Sequence, residues 1–278
     1  MVSLDKARQF VHTKGALWER ALFEHLFFDG SIERVHQCLL CYKNADGGWG
    51  HGLEHDIRCP MSNPLALEFL LGVIRDTNID SGSILTGAMD WLVDNQAEDG
   101  ELHNPPDLLE WPHKPWWSEG GQNQPDSITG NLVRLGERSN VVEERTKRWV
   151  LNNLTLDKIQ ANEWLFMAYH AYDYFMSVDD FPDIERYRSA TIDNVVQCAQ
   201  NHRQQGEHQK LFSFFQFGTT PDSPLIQSAP AELTTYILDH LETTQREDGG
   251  WDDEHNLDYW QPYFSTVVLL TLKNFGRL

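Results

Sequence analysis

Positive charge is what this chain has least of. Its 278 residues carry 22 Lys and Arg against 42 Asp and Glu, a net charge of −20. Such a surface repels phosphate backbones, which excludes nucleic acid and anionic membrane faces as expected partners. Long apolar runs are missing too, with no stretch of about 18 apolar residues that would span a bilayer. The opening residues, Met1-Val2-Ser3-Leu4-Asp5-Lys6, lack the apolar core of a signal peptide. A cytoplasmic protein without integral membrane association is the expectation. Cysteine is sparse, and Cys38, Cys41, Cys59 and Cys198 do not make a disulfide framework in a chain this long. Cys38 and Cys41 have C-x-x-C spacing but no partner pair at zinc spacing, so they are expected to be small core residues of an amphipathic helix. Gly-x-Ser-x-Gly elbows, phosphate-binding glycine loops and His-Glu-x-x-His pairs are absent.

What is present is a repeated phrase. Gln245-Arg246-Glu247-Asp248-Gly249-Gly250-Trp251 has a near copy at Asn44-Ala45-Asp46-Gly47-Gly48-Trp49 and a degraded one at Asn95-Gln96-Ala97-Glu98-Asp99-Gly100-Glu101. A weak relic is read at Gln204-Gln205-Gly206. Repetition at this scale points to stacked supersecondary units. The glycines supply left-handed turns that end a helix, and Asp46 and Asp248 cap N–H groups in the turn. Trp49 and Trp251 are expected to bury against a neighbouring hairpin. That structural role accounts for the phrase without any catalytic one.

Between the copies, two kinds of helix alternate. Segments 83–95, 140–153, 183–202 and 231–244 carry one apolar stripe each, as helices with a wet face do. Segments 65–74, 162–176 and 264–272 are apolar or aromatic nearly all round, as expected of buried helices, and 127–136 is short and mixed. Strand alternation is lacking. Wet and dry helices in alternation describe an all-α fold, an α/α toroid of about five or six hairpins spanning 1–278 as a single domain.

The phrase resembles the Gln-Trp repeat of squalene-hopene and oxidosqualene cyclases, which recurs in the β-subunits of protein prenyltransferases. The resemblance implies an α/α toroid and isoprenoid chemistry in a central cavity. Three departures accompany it. The Asp-x-Asp-Asp motif of class II cyclases is absent, the nearest sequence being Ser177-Val178-Asp179-Asp180. The Asp-x-Cys zinc ligands of prenyltransferases are absent, and Tyr259-Trp260-Gln261-Pro262-Tyr263-Phe264 lacks their His, so no zinc site of that type is expected. The second helical domain usual in such cyclases has no room in 278 residues.

Chemistry is expected on the long loops that enter the buried helices, at 50–63, 101–126, 206–230 and 252–262, because loops on a rigid scaffold carry most sites. Glu54-His55-Asp56 places a His between two acids, a set suited to general acid–base work, and Asp253 supplies another acid. These four are the candidate catalytic residues. Trp111-Pro112-His113-Lys114-Pro115-Trp116-Trp117 reads as a binding wall, with His113, Trp116 and Trp117 as candidate contacts. Asp126, Trp164, His170, His255 and Trp260 complete the candidate ligand set. A divalent cation on carboxylate oxygens is a candidate cofactor. Asp179-Asp180-Phe181-Pro182-Asp183 has the form of a diphosphate-binding Asp-Asp-x-x-Asp motif, but Pro182 interrupts it, and it is expected to be a helix-start acid cluster. The expected partner is a small molecule, apolar or sugar-like. Three functions stand open: an isoprenoid-binding or cyclising toroid, a carbohydrate-active enzyme with paired carboxylates, and a non-catalytic scaffold.

Overall fold

A computed structural model describes residues 2–117 and 124–278. Among them the ordered elements are helical, and no strand occurs. In chain order the helices are α1 (Leu4–Lys14), α2 (Leu17–Phe27), α3 (Ile32–Leu39), α4 (Pro64–Thr77), α5 (Ala88–Asn95), α6 (Asp126–Arg134) and α7 (Asn140–Asn153). They continue with α8 (Leu156–Gln160), α9 (Tyr169–Phe175), α10 (Ile184–Gln205), α11 (Phe214–Phe217), α12 (Pro224–Ser228), α13 (Ala231–Thr243) and α14 (Gln261–Asn274). Local chemistry sets several starts. Ser3 caps α1 through the Lys6 N–H, Ser139 caps α7 through the Val142 N–H, and Asn63 caps α4 at 3.0 Å with Pro64 in its first turn. No helix among the described residues is long and apolar enough to cross a membrane.

The chain forms two compact units. The first comprises Met1–Cys38, Glu163–Phe166 and Ile192–Leu278, the second Leu39–Asn162 and Met167–Thr191. In the first, α1, α2 and α13 pack on α14, whose residues from Val267 to Leu270 are buried all round. Trp18 and Phe23 of α2 are fully buried, with the Trp18 ring 5.8 Å from Tyr263 of α14. In the second, α6 packs between α4 and α9. Gly130 lets α6 and α9 approach closely, since a Cβ there would lie 2.2 Å from the Asp173 carbonyl oxygen. Val133, Val150, Ile159, Phe175 and Phe181 form the apolar cluster at one end.

The repeated phrase is one hairpin built three times. Asn44, Ala97 and Arg246 each donate their N–H to the carbonyl four residues on and accept from the N–H three residues on. Asp46, Asp99 and Asp248 each accept from the N–H two residues later, at 3.0, 3.1 and 3.1 Å. Gln96 and Gln245 brace the turn through Nε2 to the carbonyls of Gly100 and Gly249. Gly47, Gly100 and Gly249 hold φ of 89°, 95° and 95°, a region side chains resist. Each is also pressed on backbone: an added Cβ would meet the carbonyl oxygens of Gly87, Arg145 and Lys6 at 2.5, 2.3 and 2.3 Å. The three copies thus dock on the start of α5, on α7 and on α1. Gly48 and Gly250 follow in two of the copies, and Trp49, Leu102 and Trp251 fill the same buried position after them. The degraded copy keeps an apolar plug, one residue past where the sequence resemblance stops.

Several expectations need correcting. The helix expected over 83–95 starts at Ala88, because Gly87 is left-handed (φ 84°) where the first phrase docks. The one expected over 162–176 begins as a 3-10 turn at Phe166 and leaves Trp164 outside it. Gln204-Gln205-Gly206 is no phrase copy but a helix end, with Gly206 left-handed and the Glu207 N–H bonded to the His202 carbonyl. Loop 206–230 contains α11 and α12. Cys41 is exposed in a 3-10 turn, whereas Cys38, Cys59 and Cys198 are buried. Of the loop expected over 101–126, residues 118–123 lie outside the described set. The buried helices are also not apolar throughout. In the second unit their inward faces carry Asp126, Ser127, Asn131, His170 and Asp173.

Candidate functional site

In the second unit two of the long loops lie side by side. Arg58 N–H donates to the Pro112 carbonyl and Lys114 N–H to the Asp56 carbonyl, with an antiparallel bridge between Ile57 and His113. Glu54 folds back to accept the Asp56 N–H at 2.9 Å, which makes a tight turn under the loop pair. Trp116 donates its indole N–H to Asp56 Oδ2 at 3.0 Å, and Trp117 packs on the small cluster of Ile57, Cys59, Leu65 and Leu108. His55 lies 5.6 Å, ring to ring, from Phe69 of α4. Burial, reinforced by the neighbouring Asp56 charge, pushes the Glu54 carboxyl well above the usual carboxylate range. Glu54 thus keeps its proton to higher pH than an ordinary carboxyl.

Beside Phe69, Glu68 starts a buried polar chain joining three helices. Ser127 of α6 donates its hydroxyl to Glu68 Oε1, and Tyr169 of α9 donates its own to Oε2 at 3.2 Å. Asp126 and His170 meet at 2.8 Å through Oδ1 and Nδ1, and Asp126 Oδ1 also accepts the Ser127 N–H at 2.7 Å. Asp126 is fully buried, and its Oδ2 has no hydrogen-bond partner among the described residues. A buried acceptor left in that state costs about 1–3 kcal/mol. Burial pushes Glu68 up, against the opposing pull of His170 and Ser127. Burial pulls His170 down, yet the charge and hydrogen bond of Asp126, joined by the charges of Glu68 and Asp173, together hold the imidazole above its ordinary value. Tyr169 is raised well above the usual phenol range by burial and by Glu68. The charge of Glu68 reaches Glu54 and raises it, and that of Asp126 reaches Glu68 and raises it.

One turn and more further along the same helices lies a second buried set. Arg75 bonds Asp173 Oδ2 at 2.7 Å and Asp76 Oδ1 at 2.8 Å, and Asn131 reaches Asp173 Oδ2 at 2.8 Å. This set ties α4, α6 and α9 together and fixes the register that brings Glu68, Asp126 and His170 into one group.

Other expected residues lie elsewhere. Asp253 belongs to the first unit, where its buried carboxylate braces its own loop by accepting the N–H groups of His255 and Leu257. Trp164 donates its indole N–H to Glu254 Oε1 at 2.7 Å, His255 stands edge-on to Trp164 at 6.1 Å, and Trp260 packs on Phe264 at 6.2 Å. His113 bonds through Nδ1 to the Trp111 carbonyl of its own loop. Asp179 and Asp180 pair with Arg188 and Lys147 and are solvent-facing, so they form no diphosphate motif. Among the described residues no group of three or more His, Cys, Asp or Glu is arranged to hold a metal ion. Two open recesses, one along Phe181–Arg186 and one beside Asn44, Asp46 and His51, are not lined by the buried acids.

Sequence reading missed Glu68, Ser127 and Tyr169. A signal for Glu68 was available: it is the one ionisable residue in the run Leu65–Ile74 of a helix expected to be buried all round, and buried charges are rare without a task. Comparison with protein-family models, with curated proteins and with solved structures returned no match.

Proposed function

We propose that this chain is a small enzyme of general acid–base type, built on an α/α toroid like that of the terpenoid cyclases and protein prenyltransferases. The toroid is supported by the docking of each phrase copy on the second helix after it, or, for the last copy, on α1. The last copy docks on α1, and α1 packs on α14, so the two ends of the chain meet within one unit. The acid–base reading is carried by the Asp126–His170 hydrogen bond beside Glu68. Glu54 is the proton donor, the Asp126–His170 pair is the base and its orienting partner, and Tyr169 and Ser127 hold Glu68 in place. An acid in low dielectric that keeps its proton to higher pH and an imidazole tuned upward are the groups that acid–base chemistry near neutral pH requires. The substrate is neutral and hydroxyl-bearing, in the manner of a sugar. Acidic side chains dominate the site, which disfavours phosphates and diphosphates, and polar inward faces on α6 and α9 disfavour a wholly apolar ligand. The second reading, protonation of an isoprenoid, is favoured by the repeated phrase itself.

Glu54→Gln tests the assignment in two ways. Turnover should be followed by NMR on neutral saccharides and neutral isoprenoids. The substitution is expected to slow wild-type conversion by about 10²-fold or more. Conversion of neither class by the wild type, or an unaffected variant, overturns the reading. Stability gives the second readout. A carboxyl raised in the folded state keeps its proton there after the unfolded chain has lost it, so wild-type stability falls as pH rises from about 4 through the folded pKa. Gln is exempt from that loss and still accepts the Asp56 N–H. The variant should match the wild type near pH 4 and melt higher at pH 8, whereas parallel melting curves would show that Glu54 is not held protonated.

A further inference from the structure

The residue just ahead of each hairpin fastens it to the element on which it docks. Lys43 donates to the carbonyls of Ile84 and Thr86, just ahead of α5. Gln245 accepts the Ser3 N–H at 2.7 Å and donates to the Ser3 carbonyl at 3.0 Å, at the start of α1. Both fasten to backbone, which any partner sequence supplies. The degraded copy differs. Gln96 gives one amide hydrogen to the Gly100 carbonyl and the other to the Thr146 hydroxyl of α7 at 2.9 Å. Thr146 in turn meets the Thr129 hydroxyl of α6 at 2.8 Å. The hairpin is thereby joined to a third element, the helix that carries Asp126.

Docking alone does not account for this relay. Arg145 of α7 already holds the hairpin, through Nη1 to the carbonyls of Val93 and Gln96 at 3.1 and 3.0 Å and through Nη2 to Glu98. Gln96 and both threonines are buried, and Gln96 Oε1 has no partner among the described residues. Valine has the shape of threonine and would fill the two helix positions without desolvating a hydroxyl. What the hydroxyl pair adds is direction, since a hydrogen bond is more exacting in distance and angle than apolar contact. Gly130 and Asn131 set α6 against α9, and Thr129 holds it from the α7 side. Thr129 stands three residues on from Asp126, a neighbour on the helix surface, so the turn of α6 about its axis decides how Asp126 Oδ1 meets His170. We infer that Thr146 is a positioning residue of the acid–base pair. With Gln96 it holds Thr129, and through Thr129 the rotation of α6 that presents Asp126 to His170.

Titration of the His170 ring by NMR on the full chain tests this. Thr146→Val should move the titration down by about half a unit, because Asp126 then supports the imidazolium less. Thr129→Val, which breaks the same bond from α6, should match it. Thr146→Ser keeps the hydroxyl and should titrate as the wild type does. Ile237→Ala, a buried truncation in the first unit, lowers stability without touching the relay and should also leave His170 unmoved. If the valine variants melt lower but His170 titrates as before, the relay only stabilises the fold. If Thr146→Ser moves the titration as far as Thr146→Val, packing and not the hydroxyl is responsible. Either result overturns the inference. The inference rests on the reading of Asp126 and His170 as base and orienting partner, yet the two fail separately. A wild type that converts neither saccharides nor isoprenoids removes the proposed function, while the His170 titration still decides whether Thr146 positions the pair.

Discussion

Gly249→Ala should destabilise the protein by about 3 kcal/mol or more, about twice the effect of Gly136→Ala. Both glycines are left-handed, at φ 95° and 84°, so both substitutions incur backbone strain of about 1–3 kcal/mol. They differ in their surroundings. Nothing lies within 4 Å of a Cβ at Gly136, whereas at Gly249 the Lys6 backbone would be 2.3 Å away. Backbone cannot rotate aside as a side chain does, so α1 must move off the hairpin. That displacement opens the packing of Trp251, whose indole N–H is tied to the Leu241 carbonyl at 2.8 Å, and overpacking adds about 1–3 kcal/mol. Urea midpoints of the two variants check this. Equal losses would mean that the phrase only turns the chain and does not fasten it to the N-terminal helix.

Arg75→Ala is the other substitution with a large expected cost, about 3–5 kcal/mol at pH 7. Arg75 is nearly buried and neutralises Asp173 and Asp76, 4 % and 3 % exposed. Burial already pushes the Asp173 carboxyl up, and Arg75 and Asn131 oppose it. Without Arg75 the folded state holds its proton to still higher pH, while the unfolded chain releases it at about pH 4. The native state then binds more protons than the unfolded one over a wider window, and the loss deepens as pH rises from about 4 to 7. Adding Asp173→Asn should restore part of the stability at pH 7, because it removes one of the two stranded charges. A cost below about 1 kcal/mol for Arg75→Ala, or no recovery in the double variant, would show that the set is solvated rather than buried. Either outcome would also remove the register argument that places Glu68 beside Asp126.

The sequence carried much of this architecture and a smaller part of the site. The phrase was legible because its geometry is local: Asp, Gly and the plug residue act within a few positions of one another. The stripes of α7 and α13 were legible for the same reason, since periodicity is a local property. The acid–base group was legible only in fragments. Asp126 and His170 were singled out one at a time, but they are 44 residues apart and their pairing depends on which faces α6 and α9 turn to each other. Helix α6 looked mixed because Asp126, Ser127, Thr129 and Asn131 are polar. All are buried, with Thr129 bonded to Thr146 and Asn131 to Asp173. Polarity on a single helix does not distinguish a wet face from a satisfied buried one. Glu68 shows the converse, a lone acid whose partners Ser127 and Tyr169 come from helices distant in the chain.

The central claim is that Asp126 and His170 form a buried hydrogen-bonded pair, and a titration of the His170 ring by NMR tests it without knowledge of the substrate. In the wild type, His170 should titrate above the ordinary imidazole value of about 6.5, because Asp126, with Glu68 and Asp173, favours its charged form more strongly than burial opposes it. In Asp126→Asn, burial acts with less opposition and the titration should move down by about one unit or more. The stability that the pair contributes should be fully present below about pH 6.5 and lost as pH rises through the folded pKa. A wild-type His170 that titrates at or below the ordinary value, or one that Asp126→Asn leaves unmoved, would contradict the account.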